Sequence, residues 1–312
     1  MVSINVKSRS KSLKSLSTDE LTIDSKVSEL IALIKESNNI DPHRIRLTHY
    51  DTTTQKNKPL DVSKTFAQNG IASELKTLEL SIKDLGPQLS WRTVFKLEYL
   101  GPLLIHPLIY WYYNDGTYTE TQTFAFYFVI GHFLKREYES FFVHKFSNDT
   151  MPLFNLFKNS SHYWLLSGFN ISYFIYGATA LTSESTWGKY IFYVNDLPSS
   201  LIYLITAVFV FAEASNFKTH SILANLRNED SKRYVIPYGY GFDLISCPNY
   251  TFESLSWLAY AILVGNWSAW LFLAISSGQM FLWAVKKHKR YLKTFGDEYK
   301  KLKRAIYIPY VI

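Results

Sequence analysis

The sequence predicts a polytopic α-helical membrane protein, with about six transmembrane helices and a small α+β domain at its N-terminus. Three observations lead to this fold class. The first quarter of the chain is polar, whereas most of the 23 Tyr, 22 Phe and 8 Trp lie beyond it. Long runs without Asp, Glu, Lys or Arg follow from about Trp91, and the basic residues between those runs concentrate in alternate loops. The two parts are therefore expected to be built for water and for lipid, respectively.

Residues 1–84 carry the patterns of a small soluble domain. Residues 2–6 alternate apolar and polar side chains as a half-buried strand does, and residues 44–50 and 75–84 predict further short strands. Residues 27–36 predict an amphipathic helix. Its apolar side chains recur on one helical face, at Val27, Leu30, Ile31 and Ile34. A strand, one amphipathic helix and more strands resemble the ubiquitin-like β-grasp domain, with a generic α+β cap as the alternative.

Residues 85–312 contain the charge-free runs and form the predicted membrane-embedded domain. Several runs approach the ~20 apolar residues that a spanning helix needs. The runs cover residues 100–114, 121–134, 159–183, 197–212 and 254–285. The last is too long for one span, since at ~1.5 Å per residue it exceeds the ~30 Å hydrocarbon core. Gly265, Asn266 and Trp267 are predicted to break it into a tight helical hairpin, which makes six spans.

The distribution of basic residues between the runs predicts the orientation. Lys and Arg concentrate in residues 135–158, in residues 216–251 and in the tail from Lys286, whereas the opposite loops hold only Lys189. This is the positive-inside pattern, and it predicts that the N- and C-termini are both cytosolic.

The tail carries the net charge of the chain. Residues 286–304 hold nine Lys or Arg against Asp297 and Glu298, an excess that equals the +7 of the whole sequence. Such a tail serves either as a topology anchor that contacts anionic lipid or as a phosphate-binding element. A nucleic-acid partner is not expected, because no recognition fold accompanies the charge.

Several site classes are excluded by the absence of their motifs. Cys247 is the single cysteine, so no internal disulfide can form. The sequence contains no Gly-rich phosphate loop, no Cys/His metal spacing and no nucleophile elbow. No metal is expected, and a soluble Rossmann domain is not available to hold a nucleotide. The phosphates of any bound dinucleotide must then be held by side chains.

Two short segments place polar residues at the ends of apolar runs, where polar groups tend to be functional. The segment "CPNYTFES" brings Asn249, Tyr250 and Glu253 to the lip of the long apolar run. On the second predicted span, Lys135 and Glu139 lie one helical turn apart, with His132 on a neighbouring face. The simplest interpretation of the second segment is an i,i+4 ion pair at a membrane border.

Longer blocks carry a family resemblance. Residues 216–254, followed by an apolar hairpin and then "KKHKRYLKTFGDEYKKLKRAIYIPY", resemble the C-terminal domain of the steroid 5α-reductase superfamily. Within that superfamily, residues 132–164 and the motif "PNYTFE" resemble the very-long-chain trans-2-enoyl-CoA reductases of microsomal fatty-acid elongation. The order of a ubiquitin-like N-terminus and a six-span bundle is similar too, so the resemblance covers essentially the whole chain.

The resemblance implies an endoplasmic-reticulum enzyme that reduces very-long-chain trans-2-enoyl-CoA to saturated acyl-CoA with NADPH. This is the last step of very-long-chain fatty-acid elongation and supports sphingolipid synthesis, so the condensing enzyme, ketoacyl reductase and dehydratase of that cycle are implied partners. In the family the Tyr of the "PNY" motif is the acid and matches Tyr250, and a second-span Lys matches Lys135. A nearby ammonium would favour the phenolate that such an acid leaves behind.

The resemblance also implies a set of NADPH contacts. The matching positions are Asn216, Arg227, Asn249, Glu253 and Tyr291. His288 and Arg304 are added on proximity and charge. Two residues depart from the steroid reductases, since His220 replaces an Asp and Val235 replaces an Arg. Glu253 is either an acceptor for the nicotinamide carboxamide or a carboxylate that complements the helix dipole.

Three other functions fit parts of the sequence. A 3-oxo-5α-steroid 4-dehydrogenase-like reductase would share fold and cofactor but normally lacks the N-terminal domain. A prenylcysteine methyltransferase-like protein would use S-adenosylmethionine on a related bundle. A non-enzymatic membrane scaffold with a ubiquitin-like head would leave Lys135 and Tyr250 dispensable.

Overall fold

The computed structural model describes residues 2–52, 54–72, 75–145, 149–181, 186–226 and 234–309. The chain forms two compact units. The first comprises Met1–Ser90 with Thr150–Asn155, and the second comprises Trp91–Asp149 with Leu156–Ile312.

The first unit is built on a mixed five-stranded sheet and one helix. Its elements are β1 (Ser3–Ser8), β2 (Leu16–Thr18), α1 (Val27–Asn38), β3 (Ile45–Asp51), β4 (Lys56–Pro59) and β5 (Thr77–Asp84). The strand order is β2-β1-β5-β3-β4, and β1 runs parallel to β5 while the other neighbours are antiparallel. A separate antiparallel pair joins β6 (Gln88–Ser90) to β7 (Thr150–Pro152).

The predicted strands and helix of this unit are confirmed. β1 alternates buried and exposed side chains, with Ile4 and Val6 inward, and α1 buries all four of its predicted face residues. α1 ends at Asn39, which adopts a left-handed conformation (φ 47°) and donates its N–H to Lys35 O. Strands β2 and β4 have no counterpart in the prediction. β4 is exposed along its whole length, so it lacks the alternation that marks a half-buried strand.

One ion pair ties the end of β5 to the start of β3. Arg44 donates from Nε and Nη2 to the two carboxylate oxygens of Asp84, at 3.0 and 2.6 Å. The Arg44 side chain and the N–H of Gly86 lower the pKa of Asp84 to about 2. This carboxylate is therefore charged in the folded protein over the whole physiological range.

The second unit is helical. Its longer helices are α2 (Trp91–Tyr112), α3 (Glu120–Tyr138), α8 (Ser199–Asn225), α9 (Pro248–Val264) and α10 (Trp267–Phe295). The shorter ones are α4 (Phe154–Ser161), α5 (Ile171–Tyr176), α6 (Ala178–Leu181), α7 (Thr186–Ile191) and α11 (Asp297–Lys300). π-helical segments follow α3, over Glu139–Val143, and connect α4 to α5, over His162–Asn170.

Helices cover most of the described part of each predicted apolar run, and residues 113–114, 197–198 and 265–266 are among those that lie outside them. Within the described ranges, two helices are both long and apolar enough to cross a bilayer, Ser199–Asn225 and Trp267–Phe295. The helix α2 contains Pro102 and Pro107, and α9 has 17 residues. Apolar side chains also cover the outside of this unit: Leu104, Leu108, Tyr127, Leu204 and Val210 are all exposed. An apolar exterior of this kind is typical of a membrane or interaction surface.

The predicted break in the long apolar run is confirmed. α9 ends at Val264, and Gly265 follows with φ 66° and donates its N–H to Ala261 O. A Cβ at this position would lie 2.5 Å from the side chain of Asn195, so only glycine fits. Asn266 then caps α10, accepting the N–H of Ser268 on Oδ1 at 2.9 Å.

Candidate active site

Three helices of the second unit bring the predicted polar residues together. Lys135 Nζ on α3 lies 2.6 Å from Glu213 Oε2 and 2.6 Å from Asn216 Oδ1, both on α8. Asn216 in turn donates from Nδ2 to the backbone oxygen of Asn249, at the start of α9 (2.8 Å). Lys135 is thus connected through one amide side chain to the residue that precedes Tyr250.

The same cluster continues to Glu253 through a histidine. His132 Nδ1 lies 2.8 Å from Glu213 Oε1, and His132 Nε2 lies 3.3 Å from Glu253 Oε1. Both carboxylates are largely buried, with side-chain exposures of 13 and 15%. We call the six residues of this cluster the polar chain; in order they are Asn249, Asn216, Lys135, Glu213, His132 and Glu253. Charges of opposite sign alternate along it, which offsets the cost of burying them.

Helical spacing explains how this assembly forms. Each helix contributes two side chains three or four residues apart, and such pairs lie on one face of an α-helix. The pairs are His132 with Lys135, Glu213 with Asn216, and Asn249 with Glu253. The sequence interpretation included five of the six and omitted Glu213. Its position directly after the charge-free run 197–212, three residues before Asn216, was the available signal.

Glu139 does not pair with Lys135, so the simple i,i+4 interpretation is wrong. Glu139 is fully buried and contacts Arg136 Nη1 through Oε2 at 2.8 Å and His220 Nδ1 through Oε1 at 2.9 Å. Arg136 also donates from Nη2 to Tyr99 Oη at 2.7 Å. Glu139 opens the π-helical turn after α3, which changes the direction of its side chain relative to a regular helix.

Three groups in this region resemble a set of metal ligands. Donor atoms of Glu139, His144 and His220 lie within 4.8 Å of one another. The guanidinium of Arg136 already neutralises Glu139, and it lies 3.3 Å from His220 Nδ1. Burial, followed by the Arg136 charge, lowers the pKa of His144 to about 3. The imidazole of His144 is therefore neutral near pH 7.

A cavity of about 540 Å³ opens beside these two clusters. Its polar wall includes Arg136, Asn216, His220, Asn249 and Glu253, and Tyr250 borders the same space. Its apolar wall is formed largely by one face of α10, between Phe272 and Trp283. A pocket with few polar groups and a mostly apolar lining is typical of small-molecule sites.

Tyr250 lies where the two walls meet. Its ring packs in a cluster with Cys247, Met280 and Tyr307, and its centroid is 6.2 Å from that of Trp283. Arg136 borders the cavity directly, whereas Lys135 reaches the cavity through Asn216. The cations in the lining are therefore Arg136 and Lys158, and the predicted Lys135 lies behind Asn216.

One buried polar atom of this wall has no partner. Asn249 Oδ1 makes no hydrogen bond to any described residue, although the side chain is buried and borders the cavity. A buried acceptor is rarely left unsatisfied in a native protein. A ligand that presents an N–H group would satisfy it.

The other predicted cofactor residues form a second group near the C-terminal end of α10. Tyr291 is buried between the rings of Tyr234 and Tyr299, at centroid distances of 5.2 and 5.0 Å. His288 Nδ1 lies 2.7 Å from Ser246 Oγ, which also contacts Tyr299 Oη at 2.7 Å. Because Ser246 precedes the "CPNYTFES" segment, this group adjoins the segment that carries Tyr250.

Arg304 is buried in the same region. It donates from Nη1 to Pro237 O at 2.8 Å, and its guanidinium lies 4.9 Å from the ring centre of Tyr238. Its Nε and Nη2 atoms have no hydrogen bond in the described part of the chain. Nη2 lies 4.0 Å from Asp243 Oδ1, beyond hydrogen-bond distance. A buried guanidinium with donors not yet hydrogen-bonded suits an anionic group. Arg227 lies outside the described residues.

The comparisons with known proteins concern the whole chain and its C-terminal half. A model of the family described as 3-oxo-5-alpha-steroid 4-dehydrogenase matches residues 149–312. A Schizosaccharomyces pombe protein with a provisional enoyl reductase name is 43% identical to this chain, and the match covers 100% of both chains. The very-long-chain enoyl-CoA reductase of Dictyostelium discoideum is 36% identical, again over 100% of both chains. A mouse trans-2,3-enoyl-CoA reductase-like protein is 33% identical over 78% of this chain and 67% of its own length.

Proposed function

The chain belongs to the 3-oxo-5-alpha-steroid 4-dehydrogenase family, and we propose that it reduces the 2,3 double bond of long-chain trans-2-enoyl-CoA with NADPH. The observation that carries this proposal is the cavity in which Tyr250, Asn249 and Glu253 face an apolar wall of α10. The cavity is complementary both to the polar head group of such a substrate and to its long apolar tail. The full-length similarity to proteins named enoyl-CoA reductases supports the same substrate class.

The residues around the cavity fit a nicotinamide dinucleotide. Asn249 Oδ1 is an unused buried acceptor, and Glu253 supplies a second acceptor, as a carboxamide N–H would need. Arg304 offers a phosphate its Nε and Nη2, which make no hydrogen bond to a described residue, with Asp243 Oδ1 4.0 Å from Nη2. We propose that Asn216, Tyr291, His288 and Arg227 complete the site for NADPH.

The reaction needs a hydride at the β-carbon, which a reduced nicotinamide supplies when bound, and a proton at the α-carbon. Tyr250 is our candidate for the proton donor, because its side chain borders the cavity beside Asn249. Its O–H bond breaks as the C–H bond at the α-carbon forms, and the phenolate regains a proton from solvent. The substrate therefore gains one hydride and one proton, and the thioester stays intact.

Two cations support that proton transfer. Arg136 borders the cavity and carries a permanent charge that favours the phenolate and the enolate oxygen. We assign Lys135 a catalytic role through the polar chain: it orients Asn216, which holds the backbone of Asn249, and its charge adds to that of Arg136.

We also propose the cellular setting that the resemblance implies. The second unit spans the endoplasmic-reticulum membrane six times with both termini in the cytosol, and the first unit is a ubiquitin-like domain. The sheet order β2-β1-β5-β3-β4 with one helix supports the second statement. The enzyme then completes very-long-chain elongation beside the condensing enzyme, the ketoacyl reductase and the dehydratase, and so supports sphingolipid synthesis.

A steroid reductase is the second candidate function, because the description of the matching family names a 3-oxo-5-alpha-steroid reaction. The two candidate functions are distinguished by substrate. A steroid reductase would oxidise NADPH with a 3-oxo steroid that has a 4,5 double bond, and it would not do so with trans-2-enoyl-CoA.

The test is NADPH oxidation by the full chain, purified in detergent, with long-chain trans-2-enoyl-CoA and saturated acyl-CoA identified by mass spectrometry. NADH and a 3-oxo steroid are the comparison substrates. We expect turnover with enoyl-CoA and NADPH, and loss of turnover in Lys135→Ala with NADPH binding retained. Absence of oxidation with every enoyl-CoA would overturn the proposal, and full activity of Lys135→Ala would remove its catalytic role.

A further inference from the structure

The cavity is lined along α10 from Phe272 to Trp283. Tyr250 packs beside Met280 and Trp283 at one end. At the other end Phe272 packs against Trp257 (4.5 Å between ring centroids) and His162 (5.3 Å). The eleven helical steps from Phe272 to Trp283 rise about 16 Å at ~1.5 Å per residue. A substrate tail that begins at the reaction centre therefore has an extended helical wall beside it.

The α10 side of this cavity carries no charged side chain. No Asp, Glu, Lys or Arg occurs in residues 254–285. The hydroxyl of Ser276 donates to Phe272 O at 2.7 Å and lies 3.5 Å from His162 Nε2. Apart from Ser276 and Gln279, the α10 residues that line the cavity between the two ends are apolar or glycine, so most of this surface is complementary to hydrocarbon.

The cavity is also open sideways. Ile275 and Leu282 both border it and are 41 and 54% exposed. A volume of about 540 Å³ is ordinary for one drug-sized ligand, and here it must accept the reacting head groups as well as the tail. A very long acyl chain has to continue out of the cavity along this open face.

Gly278 stands on that face between the two ends. It borders the cavity, and a Cβ at this position would meet nothing within 4 Å. Ile275 and Leu282 lie three residues before it and four after it, on the same side of the helix. Any larger side chain here would project into the open space beside Ile275 and Leu282, where a very long chain leaves the cavity.

We propose that this face of α10 is the groove for the acyl tail, and that Gly278 sets the longest chain accepted by leaving the groove open. The inference rests on the proposed enoyl-CoA reduction and specifies the part of the site that discriminates among substrates. Chains too short to reach Gly278 do not contact it, so only longer chains depend on it.

The experiment compares the full-length parent with Gly278→Leu, using trans-2-enoyl-CoA substrates from short to very long chain. We expect kcat/KM for very long chains to fall at least about tenfold, the scale of a hydrophobic pocket misfit. For short chains kcat/KM should stay within about twofold, well inside one such misfit. The matched control is Gly131→Leu on α3, since Gly131 is exposed, has equally open space around it and does not border the cavity. Its chain-length profile should equal that of the parent.

Each outcome separates the groove from the reaction. An equal loss at every chain length, or an unchanged profile, would overturn the groove assignment while the reductase stands. No turnover by the parent with any chain length would overturn the proposed function and the groove with it. Should Gly278→Leu fail to fold, Gly278→Phe and Gly278→Ala test the proposal by the same ratio of long- to short-chain kcat/KM. Replacement of a glycine within a helix by alanine stabilises the helix.

Discussion

The two compact units bury different kinds of side chain. The core of the first unit is formed by apolar residues of its sheet and α1, such as Ile4, Ile34 and Ile82. All 19 buried polar or charged side chains of the described residues lie in the second unit. Among them are His132, Glu139, Asn216 and Arg304. Burying a polar group costs free energy unless it is paired, so this asymmetry separates a unit built for stability from one that also carries chemistry.

The same rule, that a buried charge needs a partner, has a different consequence in each unit. In the first unit the charged groups stay near water, and one pair, Arg44 with Asp84, adds modestly to stability. In the second unit the charges hold one another inside an apolar bundle, and the residues that complete the polar chain also border the cavity. Removing a charge should therefore be tolerated in the first unit and costly in the second.

The largest effect is expected at the proposed acid. Tyr250→Phe should lower kcat by about 10² to 10⁴-fold, the range for loss of a general acid, with NADPH binding retained. Steady-state NADPH oxidation and NADPH fluorescence titration measure the two quantities. Tyr203→Phe, at a 58% exposed position of α8, is the control and should leave kcat unchanged. A Tyr250→Phe enzyme with the parental kcat would assign proton donation elsewhere.

The next largest effect is expected from breaking the polar chain. Glu213→Ala leaves Lys135 and His132 buried without their shared carboxylate, and it should lower the free energy of unfolding by about 3 kcal/mol. Thermal unfolding in detergent measures this. Lys135→Met combined with Glu213→Gln should be less destabilised than Glu213→Ala, because both charges are then absent. Equal stability of Glu213→Ala and the parent would show that this charge cluster is not buried as described.

Two glycines differ in their surroundings: Gly265 lies in the hairpin between α9 and α10, and Gly278 lies within α10. Gly265→Ala should destabilise the protein by about 2 kcal/mol, since alanine disfavours φ 66° and its Cβ would meet Asn195. Gly278→Ala is the matched control, because its Cβ meets nothing and alanine favours the helix. Thermal midpoints of the two variants should shift in opposite directions. A stable Gly265→Ala would argue against the tight break.

The smallest effect is expected in the first unit. Asp84→Asn should cost about 1 kcal/mol near pH 7, the upper range for a partly exposed ion pair. The folded-state pKa of Asp84 is lowered to about 2, so its contribution is present above the unfolded value near 4 and disappears as pH falls through about 2. Hydrogen exchange of residues 1–84 at several pH values measures the difference. Asp19→Asn, at an exposed position, should show none; a pH-independent effect of Asp84→Asn would refute the assignment.

Local patterns in the sequence determined much of this protein. The apolar face of α1, the strands β1, β3 and β5, and the break at Gly265 follow from periodicity and backbone preference within a few residues. The motif blocks around Lys135 and Tyr250 predicted the family: the family model matches residues 149–312, which include Tyr250, and the relatives named as enoyl reductases match the whole chain. Short edges such as β4 escaped prediction, because an exposed strand carries no alternation and forms only when β3 is beside it.

The partners of the charged residues were decided by the tertiary structure. Lys135 pairs with Glu213, far along the chain, rather than with Glu139 one turn away, and Arg136 rather than Lys135 borders the cavity. The same holds for the open space beside Gly278, which no property of a glycine in a sequence reveals. These features depend on how α3, α8, α9 and α10 pack. Helix packing is set by many weak contacts between residues distant in sequence, so local periodicity encodes which face is apolar but not which neighbour it meets.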